Sequence, residues 1–317
     1  MSTFVAQIKS YWKHLPDKTK GYLLTLIGVL AMSNVYIFSK AALREVALPQ
    51  FGFYWFLTGF ILTLLLGFKQ QSFGKFKELK GKDYRKLVFF GLLEVTSTSF
   101  FFKAISSMPN PGVVAFMGNL GPVFVLILGF IILKERFNKL EILGIVITLF
   151  AAFLLSYNPK WIHLNEIFIS GSQYVLIFTS LFAVSSILMK LNVLKFSPII
   201  LATNRTFFLL VFSGLILLYQ GLSFSIPQTA TINILIGAFL GPFLTAIVGL
   251  YAIQYIEVSR KSILSSTKGL FVLLGSYIYF RKLPTNIQVI GGLLSIAGVV
   301  LIIIGKKLSK SNKNKNL

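Results

Sequence analysis

The chain has 317 residues, 55% of them hydrophobic and only 13% charged, with a mean hydropathy of +0.79. A water-soluble protein of this size covers its surface with polar groups, so the composition excludes a soluble globular enzyme and specifies an integral membrane protein. Cysteine is absent, which excludes disulfides, Cys-ligated zinc and thiol chemistry, and the formal net charge of +22 must be explained by where the charges sit.

Residues 1–20 form the first unit. Phe4, Ile8, Tyr11, Trp12 and Leu15 recur at helical spacing beside Lys9 and Lys13, which predicts an amphipathic helix on the inner membrane surface. They hold no apolar h-region, so the span that follows is expected to be retained. Ten apolar segments of 18 to 23 residues come next: Tyr22–Leu43, Phe51–Phe68, Leu87–Ser107, Gly112–Leu133, Leu140–Tyr157, Ser172–Met189, Ser197–Tyr219, Ile232–Gln254, Ser262–Phe280 and Ile287–Gly305. A helix rises ~1.5 Å per residue and the hydrocarbon core is ~30 Å thick, so each segment can span a bilayer. The predicted organisation is a first five-helix repeat over 21–157, an outer linker over 158–170, a second five-helix repeat over 171–305 and a basic cytoplasmic tail over 306–317. With the N-terminus inside, 22 of the 31 Lys and Arg fall in inner segments, including Arg260 and Lys261, and 4 in outer ones. That is the positive-inside bias. It places both termini in the cytoplasm of a bacterial-type inner (plasma) membrane. The basic charge reads as topology and attraction to anionic lipid, with no nucleic acid partner.

The second half repeats the first. Between 104–144 and 252–292 the chain aligns with itself at an offset of 148: Ala104-Ile105 meets Ala252-Ile253, Gly121 meets Gly269, Lys134 meets Lys282, Asn138 meets Asn286, Gly144 meets Gly292. Pro49 meets Pro198 at 149 and Lys40 meets Lys190 at 150. Five spans per half is odd, so homologous halves must face opposite ways, which is the inverted-repeat logic of secondary transporters. The fold class is therefore all-α integral membrane, with ten transmembrane helices in two inverted five-helix repeats.

Ser33-Asn34-Val35-Tyr36-Ile37-Phe38-Ser39-Lys40, Phe102-Lys103-Ala104-Ile105, the Gly121-Pro122 step and Leu133-Lys134-Glu135-Arg136-Phe137 leading to Leu143-Gly144 resemble the EamA-type transporters of the drug/metabolite transporter superfamily. The resemblance covers roughly residues 20–306. Phe280-Arg281-Lys282-Leu283-Pro284 lacks the acid usual in the family's second repeat, and Lys268-Gly269-Leu270 stands where a second Gly-Pro step would. The resemblance implies a central cavity lined mainly by spans three, four, eight and nine, alternating access or channel-like facilitation, and export of amino acids or other small metabolites.

Charge inside a membrane requires an explanation. Lys40, Lys103 and Lys190 lie near span ends, where their stems can snorkel to the interface. Glu94, Arg205 and Lys268 sit seven, eight and six residues past the inner ends of their spans, roughly 9–12 Å deep, a shared depth that lets them meet. One acid against two bases leaves positive charge for a substrate carboxylate or phosphate to balance. The competing reading is a structural ion pair, with the third charge reaching a helix end or water. Glu94 is also the candidate for proton coupling, since burial favours its neutral form. Arg205 offers a bidentate clamp. Ser97 belongs to four consecutive hydroxyls, Thr96 to Ser99, some of which must face inward or back-bond to the helix. Asn119 lies in Gly118-Asn119-Leu120-Gly121-Pro122, where proline and glycine loosen the helix and broken helices expose backbone polar groups. It is read as a solute ligand or an interhelical hydrogen bond. Tyr251, Gln254 and Tyr255 share a face of span eight and, with Ser265, Ser266 and Thr267 of span nine, are expected to form an amphipathic wall. The aromatic belt is the other reading of the tyrosines.

No catalytic constellation is present: both histidines lie outside the spans, and a zinc-binding His-Glu-x-x-His pattern and a phosphate loop are missing. The expectation is a non-enzymatic secondary transporter or facilitator without cofactor or metal, exporting small polar metabolites such as amino acids or related carboxylates. The alternatives are export of lipophilic or cationic compounds with Glu94 as counter-ion, and a scaffold or sensor that moves nothing. The sequence leaves the oligomeric state open.

Overall fold

A computed structural model of the protein describes residues 12, 14–107, 117–156, 171–271 and 285–315. Among them all regular structure is helical. The helices are α1 (Asp17–Ala42), α2 (Leu48–Lys69), α3 (Gly81–Ser107), α4 (Leu120–Ile132), α5 (Lys139–Ser156), α6 (Ser172–Phe196), α7 (Pro198–Tyr219), α8 (Gln228–Tyr255), α9 (Val258–Ser265) and α10 (Asn286–Lys315), with a 3-10 segment over Ser72–Glu78. The described part of every predicted span is helical, apart from one turn each in spans four and nine and the terminal residues Leu43, Leu133 and Ser197. Among the described residues five helices are long and apolar enough to cross a membrane by themselves: α2, α6, α7, α8 and the Asn286–Gly305 part of α10; α4 is apolar but shorter. The outer parts of spans four and nine, the 158–170 linker and nearly all of the predicted amphipathic segment lie outside the described residues. α10 continues to Lys315, through the stretch predicted as a tail.

The apolar side chains on the bundle's outside, such as Leu65, Phe68, Leu194, Leu215 and Leu293, are more than half exposed. Lipid explains such a surface and water does not.

Two pairs of equivalent helices pack against each other across the halves, and they do so antiparallel. Along α2 and α7, Gly52 faces Ser213, Thr63 faces Thr206 at 3.4 Å, and Leu66 packs on the Ile199–Ala202 cluster. Along α5 and α10, Asn138 Nδ2 donates to Gly305 C=O at 2.7 Å, Gly144 faces Ile302 and Gly298, and Thr148 lies against Gly298. A Cβ on Gly144 would stand 2.7 Å from the Gly298 carbonyl, so glycine is what lets these backbones meet. Equivalent helices that cross antiparallel are related by a two-fold axis perpendicular to them, the geometry of an inverted repeat.

Both halves also break a helix at the same repeat position. Gly118–Asn119 is a turn before α4, closed by Gly121 N–H to Gly118 C=O at 3.1 Å. At the offset of 148, Ser266–Thr267 is a turn between α9 and the helical residues Lys268–Phe271. Ser266 and Thr267 take tight i−3 backbone bonds to Ile263 and Leu264, at 3.0 and 3.2 Å, and their hydroxyls donate to the same carbonyls. Side chains that compete for the helix ladder unwind it. A third irregularity lies in α8, whose Phe239–Thr245 stretch is a π-helical turn around Pro242. Proline cannot donate to the ladder, and within the same turn Thr245 Oγ1 donates to the Leu240 carbonyl at 2.7 Å. Across its start, Trp55 fills the hollow left by Gly237 and Gly241.

Candidate functional site

Glu94 of α3 stands between α6 and α7. Ser185 Oγ donates to one carboxylate oxygen and Arg205 Nε donates to the other at 2.9 Å. Gly91, one turn earlier, admits the Phe208 ring so closely that a Cβ there would stand 2.2 Å from it, and Asn204 Nδ2 donates to the Leu87 carbonyl at 2.9 Å. These contacts bring α7 near enough for the ion pair to form. Lys268 begins the helical stretch after the Ser266–Thr267 break, and its carbonyl accepts from Ser33 of α1 at 3.3 Å. Lys261 of α9 turns its stem into the bundle, its Nζ beside Gly249 of α8 and within electrostatic reach of Arg205 and Lys268. Lys261 thus adds positive charge near Arg205, whose partner Glu94 is already engaged.

A second charged cluster lies at the lysine-rich end. Lys134 adopts a left-handed conformation (φ +54°) that reverses the chain after α4 and turns Glu135 back towards α9. Glu135 accepts the backbone N–H groups of Val258 and Ser259 at 2.9 and 3.2 Å, the charge a helix N-terminus favours. Ser259 Oγ donates to the Val125 carbonyl, and Gly129 leaves room for both, since a Cβ there would stand 2.2 Å from Ser259 Oγ. Arg260 is wholly buried. Its guanidinium donates twice to Glu141, at 2.9 and 2.7 Å, and to the Arg136 carbonyl, pairs with Glu257 and lies over the Phe137 ring. Burial works against its charge; Glu257 and Glu141 outweigh that and hold its pKa above the ordinary value. Asn138 and Glu141 cap the start of α5 reciprocally at 2.9 and 3.0 Å. Residues 135–141 of the first half and 257–260 of the second are thereby clamped together.

The predicted residues fall into two groups. Glu94 and Arg205 are in contact, with Lys268 nearby through Lys261. The others point elsewhere. Ser97 donates to the Phe178 carbonyl at 3.3 Å, and Asn119 Nδ2 to the Ala152 carbonyl of α5 at 3.0 Å. Tyr251 meets Gln70 at 3.3 Å and Gln254 the Val193 carbonyl at 3.4 Å, so they diverge towards α2 and α6. Ser265 back-bonds to the Lys261 carbonyl. Lys190 donates to the Ile253 and Ile256 carbonyls at the end of α8, a helix cap in place of snorkelling. The Lys103 ammonium lies 4.8 Å from the Tyr174 ring centre, and the Lys40 side chain lies outside the described residues. A cleft of about 340 Å³ opens between α2 and α8 at the opposite end, lined by Tyr54, Thr58, Phe224 and Leu235 among others; none of the charged residues above lines it.

Sequence reasoning missed Lys261, the Arg260 clamp and the Pro242 turn. Gly241-Pro242 was a legible helix-breaking signal; the direction of the Lys261 stem was not.

The comparisons agree with this architecture. An archaeal relative from Archaeoglobus fulgidus, named an uncharacterized transporter, is 27% identical over 271 residues, 84% of this chain and 91% of the relative. A second uncharacterized transporter from the same organism is 22% identical over 177 residues, 56% of this chain and 55% of the relative. A solved crystal structure superposes with a TM-score of 0.76 at 14% identity, covering 92% of this chain and 99% of the other, a likeness of fold alone. The EamA-like transporter family matches residues 19–157 and 169–304, the two halves in turn. The chain, a multi-pass membrane protein built from a repeated helical unit, belongs to the EamA-like transporter family.

Proposed function

We propose that this transporter exports small polar metabolites bearing a carboxylate, amino acids among them, by alternating access of the two inverted halves, as a secondary transporter or facilitator in a bacterial-type inner membrane with both termini cytoplasmic. One observation carries the reading: beside the broken span nine, Glu94 is paired with Arg205, and Lys261 adds positive charge within electrostatic reach of Arg205 and Lys268. A solute anion meeting this surplus is held by charge and by the polar groups that a helix break frees. The alternative, a cationic solute paired with Glu94, has less support, because Ser185 and Arg205 occupy both carboxylate oxygens. In this reading Asn119, Ser97, Tyr251 and Ser265 contribute to the path only after movement from the contacts described. The Glu135–Ser259 and Glu141–Arg260 clamp is the closed gate of the cytoplasmic side, and Glu94 carries the coupled proton.

Uptake of radiolabelled amino acids and simple carboxylates into liposomes, with and without a pH gradient, tests this. Wild type is expected to move at least one carboxylate, and Arg205→Ala to abolish that flux. Flux of cations alone, or flux unaffected by Arg205→Ala, would overturn the proposal.

A further inference from the structure

Residues 69–86 join α2 to α3, and their counterpart in the second half, residues 219–228, joins α7 to α8. The two connections begin alike. Gln71 and Gly221, 150 residues apart like Lys40 and Lys190, both turn the chain through a left-handed conformation, at φ +52° and +61°. An aromatic ring then docks each connection on α2. Phe73 lies so close over Gly67 that a Cβ there would stand 2.3 Å from the ring, and Phe224 meets the Phe53 ring edge-on at 5.5 Å. Their charges differ completely. Seven Lys and Arg lie between 69 and 86, whereas no charged residue occurs from Tyr219 to Gln254. A connection of this kind therefore folds without charge, and the cations of 69–86 serve something else.

The segment is held in place with its cations outward. Phe68, Phe73, Phe76 and Tyr84 form a run of neighbouring rings, with centres 5.1, 5.8 and 6.3 Å apart, and the Tyr84 hydroxyl donates to the Phe76 carbonyl at 3.0 Å. Phe73 and Phe76 also pack on the core cluster of Phe90, Val193 and Phe196. All seven cationic side chains are exposed, and none has an ion-pairing partner among the described residues. Of the two acids in the segment, Asp83 is taken by Lys195 and the Lys80 N–H, which leaves Glu78. The first six residues of α3 include Lys82, Arg85 and Lys86, at the end where a helix dipole favours acids, so the helix itself does not call for them. Their height is that of a membrane surface. Lys69 directly follows Phe68, which is 68% exposed, and Lys86 stands just before Val88 and Phe89, 48% and 53% exposed. Lipid covers such apolar side chains, so the cations begin where the acyl chains end.

We infer that residues 69–86 are a docking surface for the headgroups of anionic phospholipids in the leaflet at this end of the bundle. A headgroup phosphate supplies the negative charge that the segment lacks, and the apolar flanks of α2 and α3 meet the acyl chains below it. Each Lys or Arg near an anionic leaflet adds to the attraction. The aromatic run has already ordered the backbone that carries them, so binding has less of the chain left to order. Positive charge that served membrane insertion alone would need no such docking. The surface is independent of the solute proposed above.

The test uses the full chain purified in detergent, with phosphatidylglycerol, phosphatidylcholine and inorganic phosphate as probes at matched ionic strength. Bound lipid is counted by native mass spectrometry, and Tm is followed in parallel. Phosphatidylglycerol is expected to bind at least about tenfold more tightly than phosphatidylcholine and to raise Tm. Lys75→Gln, Lys77→Gln, Lys80→Gln and Lys82→Gln together are expected to bring that preference below about threefold and to leave Tm without added lipid unchanged. The same four positions changed to Arg are expected to keep the preference. Should the four-Gln variant fold poorly, Lys75→Gln with Lys77→Gln alone is expected to cut the preference by at least about twofold. Equal binding of the two lipids, a preference unchanged by the Gln substitutions, or a Tm rise that inorganic phosphate reproduces would overturn the proposal.

Discussion

Arg260 and Lys261 are consecutive residues in opposite kinds of surroundings. Arg260 lies wholly buried between Glu141 and Glu257 at the ends of both halves. Lys261, one residue on, points towards Arg205 and Lys268. The first cluster supplies its own counter-charges and holds helices together; the second does not. Neighbours in sequence therefore need not share an electrostatic role. What distinguishes them is whether the chain itself completes the electrostatics.

The comparison is broken most directly at Arg260. Arg260→Ala strands the buried Glu141 carboxylate and removes a partner of the half-buried Glu257, and is expected to cost about 3–5 kcal/mol, measured as a fall in thermal or denaturant stability in detergent. Retention of full stability would remove the distinction drawn above. At the other cluster, Glu94→Gln takes away the only carboxylate and leaves Arg205 half-paired. It should cost about 1–3 kcal/mol and flatten the response of liposome uptake to a pH gradient. A mutant that keeps its pH dependence would exclude Glu94 as the proton carrier. A third pair tests a surface charge against both clusters. Asp83, in the first turn of α3, accepts from Lys195 and from the Lys80 N–H at 3.1 Å, and these bonds hold its carboxyl below the ordinary range. A depressed carboxylate stabilises the fold fully above its unfolded value, about pH 4, and ceases to as pH falls through the depressed one. Asp83→Asn should therefore lower Tm slightly at pH 7, with the difference from wild type closing on acidification. The smallest effect belongs to Lys268: Lys268→Met is expected to leave the unliganded Tm unchanged or raise it. A clear loss would show that Lys268 has a partner in the folded chain and belongs with Arg260.

Much of the fold was legible because apolar length and repeat offset are written directly in the sequence. The offset of 148 also carried information that residue types did not. Gly118-Asn119 announced its break through neighbouring Gly121 and Pro122, whereas Ser266-Thr267 keeps the glycine as Gly269 but has Leu270 in place of the proline, and is marked chiefly by its place in the repeat. The Glu94–Arg205 pair followed from depth alone. The clamp could not be read in the same way. Arg260 looked like one more inner-facing cation, and its role depends on Lys134 turning the chain back in a loop and on Gly129 of α4 admitting Ser259 of α9, a contact between helices that spacing along one chain segment does not give. The expected wall of Tyr251, Gln254 and Ser265 shows the limit of helical spacing, which places residues on a face without saying what that face meets.

A second limit of helical spacing lies in α8. A π turn holds one residue more than an α turn, so everything after Thr245 is rotated by about 100° from the position an uninterrupted cylinder would give it. A helical wheel drawn through the whole of α8 therefore misassigns its last ten residues by more than a quarter of a revolution. Deleting one residue between Phe239 and Thr245 would wind Tyr251 away from Gln70 and Gln254 away from Val193, re-aiming one end of the helix while the other stayed fixed on Trp55.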